Sequence, residues 1–320
     1  MIVFQAERQT KDTLWRNLVS SSPAGATGRV YSVRITAMKA STYTNRAIHR
    51  AWCGVAVVWL AANQPLGGET KITLRETEFA GLAHYEVTTS AATYFLERSG
   101  AGISRLIDRQ GNDWLGFDPT PGSGAAGEFR GFPNAVHQQA GNYFHPRNQA
   151  TDPSQVKVEH ADAKRVTISA ESSNRMWACR YDFFADRCVF TMTKMPADKK
   201  YWVLYEGTPG GQFDAADWWM TSAVKTRQPI DQPHDGDLEA PEWIAFGDAK
   251  LGRALFLLHH EDDLHPDRYY PMQSQMTVFG FGRAGGKKFL DRAAQSFAIG
   301  FLETTNHSEI SSAIDKLQRH

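Results

Sequence analysis

The sequence has no excess of charge of either sign. Lysine plus arginine and aspartate plus glutamate number 35 each among its 320 residues. A partner such as a nucleic acid or an anionic membrane requires a basic patch, so the balanced composition argues against both. The chain also lacks a G-x-S-x-G nucleophile elbow and a P-loop, and it shows no repeat of fixed period. These absences leave acid–base chemistry or ligand binding as the function classes to consider.

Long hydrophobic runs are also lacking. The apolar run Ala51–Ala62 is too short to span a bilayer, which requires about 20 residues. It follows a polar stretch that carries Lys39, Arg46 and Arg50. A basic region, a short apolar region and small residues after it are typical of a secretory signal peptide.

This pattern predicts a secreted or periplasmic protein with no membrane contact once the signal peptide is removed. We expect residues 1–37 to be a non-native or disordered extension and residues 38–68 to be the signal peptide. Residues 69–320 are then expected to form a single domain. A buried helix over residues 50–62 is the alternative interpretation of the apolar run.

Cysteine is scarce, and only Cys179 and Cys188 lie beyond the predicted signal peptide. An oxidising compartment favours pairing of two such residues. However, residues 174–184 and 187–195 have the pattern of a β-hairpin, which sets Cys188 opposite Phe183 or its neighbour. A disulfide would require a different turn, so the hairpin argues against one.

Short runs rich in valine, isoleucine, threonine and aromatic residues predict strands through most of residues 69–320. About a dozen strands without interleaved helices predict an all-β fold, a large antiparallel β-sandwich. The predicted strands are Lys71–Phe79, His84–Thr89, Thr93–Arg98, Gly102–Asp108, Val156–His160, Arg165–Ala170, Met176–Phe184, Cys188–Lys194, Tyr201–Glu206, Trp243–Gly247, Ala254–His259, Met276–Phe281 and Phe297–Leu302.

One helix is predicted, at the C-terminal end of the chain. Asn306 is a suitable N-cap, and Glu309 three residues later completes the pattern of a capping box. Ile310, Ile314 and Leu317 fall on one face at helical spacing. We expect this helix to pack on the edge of the sandwich.

Residues 100–115 contain a strand that ends in Asp108, a turn with glycine and asparagine, and a short apolar strand. This segment resembles the early strands of galactose-mutarotase-like sandwiches. That superfamily includes aldose epimerases and the supersandwich domains of several polysaccharide lyases and glycosidases. The resemblance implies a supersandwich-like fold and a polysaccharide or oligosaccharide ligand. The sugar-binding motifs of the epimerases are not recognisable here, so no catalytic residue is transferred.

The irregular segment 117–150 concentrates side chains suited to chemistry, and loops of this length are often functional. Its candidates are Arg130 and Asn134 for substrate binding and His137, Tyr143 and His145 for proton transfer. The alternative is a loop that these side chains hold in place through hydrogen bonds to the backbone.

The second irregular segment, 207–241, begins directly after a predicted strand that ends in Glu206. The glycines that follow allow a ligand to approach closely, so Glu206 is a candidate catalytic carboxylate. Trp218 and Trp219 are expected to be exposed in this segment and to stack on sugar rings. A solvated turn and core packing are the alternatives for these residues.

A polar cluster at residues 258–265 contains His260, Asp262, Asp263 and His265. These four are candidate ligands of a divalent metal, although no cofactor is required by the sequence, and a charged turn is the alternative. His260 is also a candidate catalytic residue. Arg283 follows an alternating strand and is a candidate for substrate binding or for pairing with these acids.

The sequence therefore favours a secreted enzyme of polysaccharide degradation whose cleft lies on the concave face of one sheet. We expect residues 130–145, Glu206 and residues 259–265 to converge there. If the substrate is a polymer of uronic acids, a lyase reaction by β-elimination fits the residue types. An aldose-epimerase-like enzyme and a non-catalytic carbohydrate-binding sandwich remain the alternatives.

Overall fold

A computed structural model describes residues 71–318 of the chain. Short strands that pair in antiparallel fashion build this part of the protein. The predicted extension and signal peptide lie outside the described residues, and the single-domain prediction for 69–320 stays a prediction. The strands within residues 71–318 are β1 (Thr73–Phe79), β2 (Leu82–Thr88), β3 (Ala92–Glu97), β4 (Ile103–Asp108), β5 (Ser154–Ala161), β6 (Val166–Ser172), β7 (Ala178–Phe183), β8 (Arg187–Lys194), β9 (Val203–Gly207), β10 (Asp217–Thr221), β11 (Gln228–Pro229), β12 (His234–Gly236), β13 (Trp243–Asp248), β14 (Ala254–His259), β15 (Asp267–Met272), β16 (Met276–Phe281), β17 (Arg283–Ala284), β18 (Lys287–Lys288) and β19 (Ser296–Leu302).

These strands form antiparallel sheets of different width. The largest has nine strands in the order β11-β10-β13-β14-β19-β8-β7-β6-β5. Two four-stranded sheets have the orders β1-β2-β3-β4 and β12-β15-β16-β9, and β17 pairs with β18. Helix α1 (His307–Leu317) follows the last strand, and short 3₁₀ turns lie at Gly124–Ala126 and Pro209–Gly211. The all-β sandwich prediction with one C-terminal helix is confirmed.

The main hydrophobic core joins side chains from the nine-stranded sheet and both four-stranded sheets. A second cluster lies between α1 and strands β10, β13, β14 and β19. Neighbouring residues of these strands therefore alternate between two apolar environments; on β13, Ile244 enters the main core and Trp243 the second cluster. Because both faces are covered here, the strands carry nearly continuous apolar sequence.

Trp218 and Trp219 occupy the central part of β10, and the prediction that they are exposed in a loop is wrong. Their exposed fractions are 3% and 4%. Trp219 points into the main core, where its Nε1 donates a hydrogen bond to the carbonyl of Gln232 at 2.9 Å. Trp218 points into the second cluster and packs on Gly247. Adjacent tryptophans are both buried because this part of the sheet is covered on both faces.

The C-terminal helix matches its prediction in position but not in every contact. The Asn306 side chain caps it by accepting hydrogen bonds from the backbone of Ser308 and Glu309. Glu309 accepts a hydrogen bond from the Thr304 hydroxyl, so the reciprocal bond of a capping box is not formed. The helix packs through Ile310 and its apolar neighbours on the face of the nine-stranded sheet and not on the sandwich edge.

The hairpin around residues 185–186 forms as predicted, with Phe183 opposite Cys188 and Cys179 opposite Met192. Both cysteines are buried and free. Segment 207–241 is less irregular than expected, because β10, β11 and β12 lie in it. Among residues 71–318, no helix has the length and apolar character needed to cross a membrane.

Because β10 is packed on both of its faces, both tryptophans are expected to contribute to the stability of the fold. Replacing Trp218 or Trp219 by alanine is expected to lower the free energy of unfolding by about 3–5 kcal/mol, because each truncation leaves a cavity in a packed cluster. Urea denaturation followed by circular dichroism measures this. Leu264, which is 88% exposed, is the control, and its alanine variant should change the free energy by less than about 0.5 kcal/mol. Tryptophan variants as stable as the control would contradict the packing described.

Candidate functional site

A cleft of about 320 Å³ lies between the segment 129–151 and the sheet that contains β9 and β15. Its volume is at the lower end of the range of small-molecule sites. The lining residues are Phe129, Asn134, His137, Asn142, His145, Asn148, Ala150, Thr151, Trp202, Leu204, Glu206, Tyr270, Met272 and Arg283.

Strand geometry explains which residues of the sheet reach the cleft. Side chains two positions apart on a strand point to the same face, so Trp202, Leu204 and Glu206 line the cleft together. Tyr270 and Met272 do the same from β15, which is separated from β9 by β16. The sheet thus supplies one wall of the cleft.

The loop that forms the opposite wall is fixed to β9 by backbone hydrogen bonds. The amide of Gly131 donates to the carbonyl of Glu206 at 2.7 Å, and the amide of Glu206 donates back at 3.0 Å. Further along, the Leu204 amide donates to the Pro133 carbonyl at 2.6 Å. Asn134 then takes a φ of 42°, a left-handed conformation that asparagine adopts more readily than most residues. These contacts turn the Asn134 side chain towards the end of β9.

Among the described residues that line the cleft, Glu206 is the one with an acidic side chain. It is buried, and its Oε2 accepts a hydrogen bond from Asn134 Nδ2 at 2.7 Å. Burial raises the pKa of Glu206 to about 7, against the opposing effects of the Asn134 hydrogen bond and the charge of Arg283. The group therefore exchanges a proton near neutral pH.

Two cations gather around the indole of Trp202. The guanidinium carbon of Arg283 lies 5.0 Å from the ring centroid, and Lys288 Nζ lies 4.0 Å from it. Arg283 also stacks on Tyr270, and its Nη2 donates to the Tyr270 hydroxyl at 3.1 Å. Cations held over aromatic faces gain electrostatic stabilisation without an anionic partner.

Neither cation forms an ion pair with a carboxylate in the described part of the chain. Arg283 is buried, and its Nη1 has no hydrogen-bond partner among residues 71–318. Burial and the nearby charge of Arg283 lower the pKa of Lys288 to about 8. The cleft therefore has an uncompensated positive side next to the carboxyl of Glu206.

His137 faces the same group of residues. Its ring lies nearly parallel to the Trp202 ring, with centroids 6.3 Å apart and an interplanar angle of 15°. Burial, and then the charges of Lys288 and Arg283, lower the pKa of His137. The imidazole is consequently neutral near pH 7 and able to accept a proton.

His145 lines the cleft, but its ring nitrogens are occupied by the backbone. Nδ1 lies 2.8 Å from the carbonyl oxygen of Pro146, and Nε2 lies 3.2 Å from that of Phe129. Burial lowers the pKa of His145 to about 4, so the ring is neutral and one of these contacts lacks a proton. This arrangement fits a residue that fixes the loop better than the predicted proton-transfer residue.

Arg130 and Tyr143 do not line the cleft, contrary to their predicted roles. The guanidinium of Arg130 donates to three backbone carbonyls, those of Ala125, Gly116 and Gln275, and so joins three segments of the chain. Tyr143 is 3% exposed and belongs to the main hydrophobic core. Both residues support the loop from behind instead of contacting a ligand.

The segment 259–265 does not reach the cleft either, so the predicted roles of His260 as a catalytic residue and of His260, Asp262, Asp263 and His265 as a metal set are not supported. The residues that approach one another closely enough to hold an ion are Glu242, His259 and Asp263, whose ligand atoms lie within 4.8 Å of one another. His260 is not part of this group, because successive side chains on a strand point to opposite faces and that of His259 points towards Glu242 and Asp263.

Of the predicted site residues, the structure brings together Asn134, His137, His145, Glu206 and Arg283. Sequence reasoning missed Trp202, Tyr270 and Lys288. A signal for Trp202 was present, since counting back in twos from Glu206 along the predicted strand reaches it. No pattern in the sequence marks Lys288.

Comparisons with known proteins add a likeness of fold. A candidate mutarotase of Salmonella typhimurium is 14% identical and has a TM-score of 0.48; the match covers 71% of this chain and 93% of that one. A galactose-mutarotase-related enzyme of Lactobacillus acidophilus is 9% identical with a TM-score of 0.36, covering 73% and 99%. The alpha-galactosidase of Lactobacillus brevis is 12% identical with a TM-score of 0.38, covering 69% and 39%.

No protein-family model matches the sequence, and no curated protein is similar to it.

The raised pKa of Glu206 predicts a specific pH dependence of stability. In the folded state the carboxyl of Glu206 has a pKa of about 7, whereas the ordinary pKa of a glutamate is 4.5. The stability that the protonated carboxyl contributes is therefore present at low pH and is lost as the pH rises through 7. At about 1.4 kcal/mol per pKa unit, the loss is about 3 kcal/mol between roughly pH 4 and pH 8.

The variant Glu206→Gln mimics the neutral form and should lack this loss. Urea denaturation at both pH values is expected to show the variant gaining about 3 kcal/mol relative to the wild type on going to pH 8. Subtracting the free energy of unfolding of the variant from that of the wild type at each pH removes the contributions of the other titrating groups, which the two proteins share. An equal pH dependence of the two proteins would contradict a buried carboxyl with a raised pKa.

Proposed function

We propose that this protein is an acid–base enzyme that cleaves a uronate-containing polysaccharide by β-elimination, as a lyase does. The observation that carries the proposal is the buried Nη1 of Arg283, which has no partner among the described residues and lies in a cleft with a neutral imidazole and a carboxyl of pKa about 7. β-Elimination from a uronate requires a cation, a base and an acid.

Arg283 provides the cation. The substrate carboxylate bound to its guanidinium withdraws electron density from C5, so the proton on that carbon becomes more acidic. Lys288, on the same aromatic ring, adds a second positive charge on this side of the cleft. An interaction with a charged donor is worth about 1.5–3 kcal/mol, more than a neutral hydrogen bond.

His137 provides the base. Its lowered pKa keeps the imidazole unprotonated near pH 7, and it lies beside the cations that hold the carboxylate. The ring nitrogen takes the C5 proton, and the electron pair of the broken C–H bond forms the double bond between C4 and C5.

Glu206 provides the acid. With a pKa of about 7 it is protonated in about half of the molecules at neutral pH, and Asn134 holds it in place. As the bond between C4 and the glycosidic oxygen breaks, the leaving oxygen takes the carboxyl proton. His137 and Glu206 then return to their starting states by exchanging one proton with each other or with water.

Hydrolysis by paired carboxylates fits the cleft less well, because the part of its lining that lies within residues 71–318 has one acidic residue, Glu206. A non-catalytic binding module is disfavoured as well. The flat strip of exposed tryptophans that such a module would use is not formed by Trp218 and Trp219, which are buried.

The volume of the cleft favours an aldose-epimerase-like enzyme as the second candidate. About 320 Å³ accommodates one or two sugar rings. In that reaction, the ionised Glu206 would remove a proton from the anomeric hydroxyl, and the ring oxygen would take a proton from the protonated form of His137, which is the minor form near pH 7 because its pKa is lowered. A secreted or periplasmic location remains part of the primary proposal, since polymeric substrates lie outside the cell.

Product analysis tests the proposal. The full chain is incubated with neutral and acidic polysaccharides, and mass spectrometry identifies the fragments. We expect unsaturated fragments, lighter by one water than hydrolysis products, from a uronate polymer. His137→Ala should lower the rate of their formation by about 10²–10⁴-fold, the range for loss of a general base.

The matched control is His160→Ala, because His160 is exposed on β5 and pairs with Asp162 away from the cleft lining. This variant should retain the wild-type rate. Hydrated fragments would replace the lyase proposal with a hydrolase. Absence of fragments together with faster interconversion of the anomers of a free sugar would favour the epimerase.

A further inference from the structure

A second group of chemically active side chains lies at the end of the β13–β14 hairpin. Glu242 immediately precedes β13, His259 ends β14, and the amide of His259 donates to the carbonyl of Glu242 at 3.0 Å. Asp263 follows in the turn that leaves β14. The side chains of Glu242 and His259 are each 1% exposed, and that of Asp263 is 7% exposed.

The three side chains converge on one point. Glu242 Oε2 lies 2.5 Å from His259 Nδ1, and Asp263 Oδ2 lies 4.0 Å from the same nitrogen. The other oxygens of the two carboxylates are engaged by the backbone. Glu242 Oε1 accepts from the Asp263 amide at 2.7 Å, and Asp263 Oδ1 accepts from the His265 amide at 2.6 Å. One oxygen of each carboxylate therefore remains directed at the imidazole.

Asp263 Oδ2 is buried and has no hydrogen-bond partner among residues 71–318. Nor does any lysine or arginine in this part of the chain form an ion pair with Glu242 or Asp263. An unpartnered buried carboxylate oxygen is costly, because it has lost its hydration without a replacement. Its orientation towards two other potential ligand atoms is the feature that points to a cation.

Glu242 Oε2 and His259 Nδ1 share a hydrogen bond of 2.5 Å, and a cation bound between them would take the place of its proton. On the far side of the imidazole, His259 Nε2 lies 3.5 Å from the side-chain amide nitrogen of Gln295 and 3.7 Å from Glu261 Oε2. Asp263 Oδ2 takes no part in these contacts, so a cation would supply the partner that this buried oxygen lacks among residues 71–318.

We propose that Glu242, His259 and Asp263 bind a divalent transition-metal ion such as Zn²⁺ or Mn²⁺. A mixed set of one imidazole nitrogen and two carboxylate oxygens suits these ions, whereas Ca²⁺ takes oxygen ligands in larger number.

The ion would join three parts of the chain: the start of β13, the end of β14 and the turn at 260–266. That turn leads into β15, which carries Tyr270 into the cleft. The site is distinct from the cleft, since none of its three ligands is in the cleft lining. Its expected effect is on stability, and it does not depend on the function proposed for the cleft.

The experiment uses the full chain after treatment with a chelator, with Zn²⁺ or Mn²⁺ alone as the probe. Calorimetric titration should show saturable binding of one ion that Asp263→Asn weakens roughly tenfold or more. Asp262→Asn is the matched control, because Asp262 is an exposed neighbour outside the ligand set; this variant should bind like the wild type. Bound metal should also raise the Tm of the wild type.

Pulsed electron paramagnetic resonance of Mn²⁺ on the wild type keeps the test independent of how the variants fold. A directly bound imidazole nitrogen should appear as nitrogen coupling. The proposal is overturned by absence of saturable binding, by equal affinity in the wild type and Asp263→Asn, or by bound Mn²⁺ without nitrogen coupling.

Discussion

The pair of backbone hydrogen bonds between Gly131 and Glu206 is the contact on which the cleft depends. This isolated bridge, with the bond from the Leu204 amide to the Pro133 carbonyl, holds the loop 129–137 against β9. The Glu206 carboxyl is buried there, and its pKa rises because the group is cut off from water. The same loop brings Asn134 within hydrogen-bond distance of that carboxyl and accepts the indole N–H of Trp202. The contact between this loop and β9 thus fixes the positions of Glu206, Asn134 and Trp202 together.

The positive side of the cleft follows from this arrangement. With the loop in place, Trp202 presents its ring to Arg283 and Lys288 and to the imidazole of His137. Burial lowers the pKa of Lys288 and of His137, and the charge of Arg283 lowers both further. No carboxylate among residues 71–318 forms an ion pair with Arg283 or Lys288. A carboxylated sugar would supply the missing charge, which connects the electrostatics of the cleft to the proposed substrate class.

Local patterns in the sequence were sufficient for much of the fold. The strand Met276–Phe281 has its predicted bounds, and the hairpin that separates Cys179 from Cys188 follows from its turn and its alternation. Glu206 at a strand end and Asn134 and His137 in a polar loop were also visible, because residue type and position alone suggested chemistry.

The errors concern contacts between segments that are distant in sequence. Trp218 belongs to an apolar cluster that includes residues of the helix starting at His307, and Arg130 donates to the carbonyl of Gln275, so neither environment can be inferred from neighbouring residues. His259, and not His260, lies close to Glu242 and Asp263. Which of the two histidines does so depends on which face of β14 is buried there, and the strands and loops packed around β14 determine that. Sequence patterns report local periodicity, whereas these contacts are a property of the assembled sheets.

We propose that the cleft binds a sugar that carries a carboxylate. Calorimetric titration of the full chain with an oligouronate and with the same oligomer after reduction of its carboxylates tests this directly, independently of turnover. A charge-assisted contact of about 1.5–3 kcal/mol predicts that the acidic oligomer binds about 10- to 100-fold more tightly than the reduced one. Equal affinity for the two oligomers, or tighter binding of the reduced one, would contradict the account.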